Sequence, residues 1–455
     1  MRIKMLPLLF LILLIPAQTA LAAPRADVTN DQVTFDFPNT ATFSATLSAD
    51  SDIVSVTLEY GNVQQTCGEV VAKAFPDFTP AKNVNVEWTW DMRQSGSLPP
   101  GATIWWRWIY TDSTGNESST EIQTATWLDS VHDWQTLTSG DLRLHWYNND
   151  KAFAQTMLDA GLEGLRRNKE QAGLVTDSPI DLYVYPNYTD MQEAILYEPS
   201  WTGGMAFPEY NIFIMGVSGS DSTWDKNTVI HELTHILVGH LTFSCLGDVP
   251  TWLNEGLAMY SEGELDSSAQ AQLDQAISSD TLLTVRSLNG GFSELPDKAN
   301  LSYSQSYSIT NFLIQTYGQD KLTELLKALR DAKPIDDALL EIYGFDSDGL
   351  EDAWRQSVGA APRAVSAQPT SMPTPTFVPT YVPVAGIPLA VTPTPYAVPT
   401  SSFDGSQSTD TKSNTPFIIL TVALVCICLV MLIIIGVVIL GLVVRSQNQK
   451  AGKNG

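Results

Sequence analysis

The feature that most constrains this chain is the run His231-Glu232-Leu233-Thr234-His235. An offset of four brings two imidazoles to one face only on an α-helix, so the run predicts a helix with Glu232 beside the pair. Two neutral imidazoles and a neighbouring carboxylate describe a metal site with a general base. Only five histidines occur in the sequence, and three of them lie between His231 and His240. Asp225 reads as the N-cap, an acid placed where the helix dipole favours it. Ile230, Leu233 and Leu237 make the buried stripe, and Gly239 begins the end. His240 is set aside as a further ligand, because on a continuing helix it lies about 180° from His231.

A second helical segment opens at Pro250 and reads Trp252-Leu-Asn-Glu-Gly-Leu-Ala258. A helix carboxylate such as Glu255 is ordinarily solvated, yet here it sits twenty positions after His235 among apolar residues. The two segments together resemble those of the gluzincin zinc metallopeptidases, nearest to the membrane aminopeptidase type and to peptidase MA-like domains. The likeness runs roughly from Leu142 to Val358. It implies His231, His235 and Glu255 as ligands of one Zn2+ per chain, Glu232 as general base, and a peptide or protein as substrate. A tyrosine from the following helices would hold the oxyanion, with Tyr303 and Tyr307 as candidates. Gly203-Gly204-Met205-Ala206-Phe207 resembles the family's G-x-M-E-N strand. Ala206 replaces the glutamate that holds a free amino terminus there, which favours an endopeptidase over an aminopeptidase.

Charge and address narrow the setting. Lys and Arg total 25 against 50 Asp and Glu, a net charge of −25, which speaks against binding a phosphate backbone and so against a nucleic-acid partner. Residues 1–22 read as a signal peptide: Arg2 and Lys4, an apolar run, then Ala20-Leu21-Ala22. Phe417 to Val444 carries no charge and is long enough to cross a hydrocarbon core of about 30 Å as one transmembrane helix. Arg445, Lys450 and Lys453 follow it, so residues 445–455 are expected in the cytoplasm and the N-terminal domains outside the cell, anchored in the cell membrane by a single pass. Residues 360–416 are rich in Pro, Thr and Ser and read as a disordered stalk. Of four cysteines, Cys426 and Cys428 fall in the apolar run, leaving a Cys67–Cys245 disulfide as the simplest pairing.

The fold class expected is α+β. Residues 24–130 show period-two runs broken by turn signals, an N-terminal antiparallel β-sandwich of immunoglobulin or fibronectin type. Its tryptophans read as core filling or as a ligand platform; alternation puts Trp106 and Trp108 on one face and Trp105 on the other. Residues 140–358 follow as the gluzincin-like zinc peptidase domain. It has a strand near Leu142, a helix from Phe153 to Gln171 and a strand from Ile180 to Asn187. A further strand from Tyr210 to Met215 is expected to form the substrate-pairing edge, and helices start at Ser304, Asp320, Ile335 and Ser347. A second reading is a stalked cell-surface adhesion or binding protein with an inactive peptidase-like domain; the altered Gly-Gly-Met-Ala-Phe stretch is its main support. Nothing in the sequence sets an oligomeric state.

Overall fold

The computed structural model describes residues 27–363, apart from 69–70, 96–97, 149–150, 197–202, 219–221 and 294. The leader expected at 1–22, nearly all of the stalk expected at 360–416 and the apolar run at 417–444 lie outside the described residues. Among the described residues no helix is long and apolar enough to cross a membrane. The described residues fall in one compact unit.

The N-terminal part is a seven-stranded antiparallel assembly. Strand β1 (Asp27–Asp36) pairs with β2 (Thr40–Asn62), and β2 is the spine. Its first half also takes β4 (Ala81–Asp91), and its second half takes β3 (Ala72–Ala74) and β5 (Thr103–Asp112). The short β6 (Glu117–Ser119) and β7 (Gln123–Thr126) then pair with β5. The alternating runs around Phe43 and Leu58 look like two strands in the sequence, yet they are one. The polar Asp50-Ser51-Asp52 stretch is carried through as a register shift between Ser48 and Ile53, rather than as a turn. The N-terminal part is thus one antiparallel sheet organised on β2, where the sequence predicts a two-layered sandwich.

Trp106 and Trp108 are buried on the inner face, with Phe43, Leu47 and Leu58, while Trp105 lies half-buried outside over Gly61. Core filling accounts for the two inward indoles, and both donate to Asp31 Oδ1, at 2.7 and 3.1 Å. The one-turn α1 (Met92–Ser95) closes β4.

The second part begins with a hairpin of β8 (Gln135–Ser139) and β9 (Leu142–Trp146). The long α2 (Lys151–Ala172) returns the chain so that β10 (Ile180–Tyr185) runs parallel to β9. After α3 (Tyr188–Glu193) come β11 (Gly204–Phe207), a 3-10 turn at Pro208–Tyr210 and β12 (Ile212–Gly216). The sheet order is β11-β12-β10-β9-β8. The strand expected at Tyr210–Met215 therefore lies inside the sheet, and β11 is the edge. Tyr210 belongs to the preceding turn, because Asn211 adopts a left-handed φ of 59° that breaks the extended run.

Helices complete the domain: α4 (Ser222–Thr242), α5 (Thr251–Glu262), α6 (Ser267–Ser278), α7 (Pro296–Tyr317), α8 (Gln319–Arg330), α9 (Ile335–Tyr343) and α10 (Ser347–Ser357). One apolar core joins the inner face of the sheet to α2, α4, α5, α7 and α8. The two parts of the chain are closely joined. At Gly101, φ is +92° and a Cβ would come within 2.4 Å of the Tyr183 ring, so only glycine fits there. Gln65 N donates to Glu209 O at 2.8 Å, and the expected Cys67–Cys245 disulfide ties the first part to the loop between α4 and α5.

Candidate metal centre

Helix α4 starts at Ser222, so Asp225 lies within its first turn instead of capping it. The carboxylate is buried and accepts from Ser218 N at 2.8 Å, which fixes how the chain enters the helix from β12. Ile230, Leu233 and Leu237 are buried as the periodicity predicts, and the opposite side of the helix carries His231 and His235. Their rings stand edge to face, with centroids 4.8 Å apart.

Helix α5 brings Glu255 to the same place. Its Oε2 lies 3.3 Å from His231 Nε2 and 3.5 Å from His235 Nε2, and one ligand atom from each of the three residues falls within a 4.8 Å cluster. The far nitrogen of each imidazole is anchored. His231 Nδ1 meets Glu262 Oε1 at 2.6 Å, and His235 Nδ1 meets Asn254 Oδ1 at 3.0 Å. Both partners are acceptors, so Nδ1 carries the hydrogen and each Nε2 turns a lone pair inward. Glu255 Oε2 is buried and accepts no well-formed hydrogen bond. Three electron-pair donors with no hydrogen between them form a set that could hold a metal cation.

The electrostatics agree with that reading. Burial alone would push the His231 imidazolium down, but the carboxylates of Glu255 and Glu262 beside it outweigh that, and its pKa stands well above the ordinary value. His235 is raised in the same way, with Glu255 overcoming burial. Burial would push Glu255 up, yet the two imidazoles beside it hold its carboxyl well below the usual range. The pocket thus favours positive charge at its centre.

Glu232 is buried next to the cluster, and burial lifts its carboxyl above the usual range. It lies against β11: a Cβ on Gly204 would sit 2.8 Å from Glu232 Cγ and Oε1, and 3.0 Å from Thr228 Cγ2. Glycine at 204 therefore lets the edge strand reach this carboxylate. Alternate residues of β11 face opposite ways. Ala206 packs towards the helices, with Met205 and Phe207 towards the aromatic cluster around Tyr183 and Tyr185.

Of the two tyrosines expected near the site, Tyr303 stands over it, its ring 6.4 Å from that of His231 and backed edge-on by Phe292. Burial, then the charges of Glu255 and Glu232, raise its phenol, so it stays a proton donor. Tyr307, one turn further along α7, faces Tyr260 and Glu264 instead. Helix α7 approaches closely because Gly256 follows Glu255: a Cβ there would fall 2.2 Å from Thr310 Oγ1 and 2.5 Å from Ser306 O. His240 takes no part in the cluster; its ring meets Asn211 Oδ1 beyond β11.

Glu262 and Asn254 are absent from the sequence expectation. Glu262 follows Glu255 by seven residues, two helical turns on the same face, so its spacing carried the signal.

No curated protein matches this sequence. Among solved structures it is similar to an M1 zinc metallopeptidase from Deinococcus radiodurans, 12% identical over 72% of this chain and 93% of that one, with a TM-score of 0.36. It is also similar to catalytically inactive OgpA from Akkermansia muciniphila in complex with an O-glycopeptide, 11% identical over 25% of this chain and 32% of that one, with a TM-score of 0.18. Residues 160–360, which contain α4, α5 and α7 and with them every residue of the cluster, match the family model of the Peptidase MA superfamily.

Proposed function

We propose that this chain is a membrane-anchored zinc peptidase acting outside the cell on bonds within a peptide chain. The observation that carries the reading is the convergence of His231 Nε2, His235 Nε2 and the hydrogen-bond-free Glu255 Oε2 on one point, with both Nδ1 atoms held from behind. Two imidazoles and one carboxylate form a donor set that zinc takes in catalytic sites, and the match to the Peptidase MA superfamily supports a hydrolase. When bound by these three residues, zinc supplies Lewis-acid polarisation of water and of a carbonyl oxygen.

The remaining work falls to the chain. The main-chain groups of β11, at the sheet edge, hold an extended substrate. Glu232 takes the proton of the attacking water at its carboxylate and delivers it to the leaving amine nitrogen. Tyr303 donates its phenolic hydrogen to the oxygen on which charge develops. Burial of Glu232 beneath β11 keeps bulk water from competing for that proton.

Ala206 supports the endopeptidase preference. Its methyl group packs among apolar neighbours and offers no carboxylate to an incoming ammonium. The leader, the stalk and the apolar run near the C-terminus support the extracellular, anchored setting. The test is digestion of a peptide library with free and with acetylated amino termini by the full-length chain. Equal cleavage of both, at internal bonds, is expected; removal of single residues from free termini alone would overturn the endopeptidase reading.

A further inference from the structure

We infer that Asn168 is a positioning residue for the metal centre, the pin that sets the two ligand-bearing helices at their working distance. The inference rests on the reading of His231, His235 and Glu255 as metal ligands. Asn168 lies on α2, contributes nothing to the cluster itself and is fully buried. Its Nδ2 donates to Thr234 Oγ1 at 2.9 Å and to Gly164 O at 3.0 Å, and its Oδ1 accepts from Ser261 Oγ at 3.0 Å. Every hydrogen-bonding capacity of the amide group except one carbonyl lone pair is thereby used.

The two hydroxyls it joins are not arbitrary. Thr234 sits on α4 between the histidines and donates to Ile230 O at 2.7 Å, which leaves its oxygen free to accept from Asn168. Ser261 is the neighbour of Glu262 on α5, the residue that holds His231 Nδ1. One amide therefore reaches the helix of both histidines and the helix of Glu255 and Glu262. Thr234 and Ser261 are both buried, so neither hydroxyl can exchange its partner for bulk water.

Neighbouring residues of α2 serve the same junction. A Cβ on Gly164 would meet Leu233 Cδ2 at 3.0 Å and Ile230 Cα at 3.5 Å, so glycine there lets α4 lie close enough for the amide to reach Thr234. Arg167 donates from Nη1 to Glu262 O at 2.6 Å and to Ser261 O at 3.2 Å, gripping the end of α5. Helix α2 thus binds α4 through its glycine face and α5 through its arginine, with Asn168 between them. A metal site needs its ligands held within a fraction of an ångström, and residues behind the ligands typically govern about 10- to 100-fold in affinity.

The test measures the zinc Kd of the full-length chain by competition with a chelator, and the visible spectrum of its cobalt(II) form. Asn168→Ala is the direct variant. Ser261→Ala and Thr234→Val remove one hydroxyl each and keep the amide, so they report even where Asn168→Ala fails to fold. Thr234→Ser restores the hydroxyl. Ser261→Ala and Thr234→Val are expected to weaken zinc by about tenfold and to alter the cobalt bands. Thr234→Ser should stay within about twofold of the parent chain. A change in stability alone leaves the cobalt bands of the folded protein unmoved. Parent-like Kd and spectra in both hydroxyl-deleted variants would overturn the role of Asn168 while leaving the metal centre standing. A parent chain that takes up no zinc would overturn the metal centre and this inference with it.

Discussion

Gly256→Ala probes the closest helix contact at the site. The new methyl would stand 2.5 Å from Ser306 O and 2.2 Å from Thr310 Oγ1, against ordinary contact beginning at 3.4 Å. Ser306 O is backbone, so relief requires α7 to move away from α5 by roughly the difference, 3.4 − 2.5 = 0.9 Å. Overpacking of this kind costs about 2–3 kcal/mol. For a domain of this size that lowers Tm by about 5–10 °C. The same shift carries Tyr303, one turn earlier on α7, away from the oxygen it is proposed to serve, and a misplacement near 1 Å costs about 10²-fold in rate. Thermal unfolding and steady-state cleavage of an internally quenched peptide read the two effects together. Gly290→Ala is the control, since a Cβ there meets nothing within 4 Å. If Gly256→Ala is as silent as Gly290→Ala in both assays, α5 and α7 are not packed through this glycine and the account of Tyr303 fails with it.

Two further outcomes follow from the geometry. Tyr303→Phe should lower kcat by about 10²- to 10³-fold with KM little changed, and Tyr307→Phe should leave both nearly intact; the reverse ranking would reassign the oxyanion donor. Burial would raise the Asp181 carboxyl, but His145 and Arg143 beside it hold it below its ordinary value. A depressed folded pKa contributes stability above the unfolded value, near 4, that is lost as pH falls through the folded pKa. Chemical denaturation of the parent chain should therefore weaken more steeply below about pH 4 than that of Asp181→Asn, and parallel curves would refute the pairing.

Much of the site is legible in sequence because its geometry is local. His231 and His235 are one helical turn apart, so helix periodicity pairs them without knowledge of the fold, whereas Glu255, on a separate helix, is implied only by the resemblance of its Trp-Leu-Asn-Glu-Gly-Leu-Ala setting. Choosing between Tyr303 and Tyr307 was beyond that reasoning. They are one turn apart on α7, and the close contact at Gly256, a tertiary fact, decides which faces the metal cluster. Asn168 was invisible for a similar reason: a single amide in a helix has no periodic signature, and its meaning arises only where three helices meet. In the first domain, the polar residues Asp50 to Asp52 lie within a single strand because pairing on both sides of β2 carries it through them. Strand β8, Gln-Thr-Leu-Thr-Ser, has little apolar content and owes its conformation to pairing with β9. The disulfide, in contrast, followed from counting, since only two cysteines lay outside the apolar run.

In the proposed zinc-dependent cleavage, Glu232 moves the proton. The most direct test of that role is the rate at which zinc-loaded Glu232→Gln cleaves an unfolded protein substrate, with zinc content measured on the same sample. The amide keeps the shape and removes the base, so one zinc per chain and a rate lower by at least about 10³-fold are expected. Cleavage at the parent rate by the variant with its zinc in place would contradict the account.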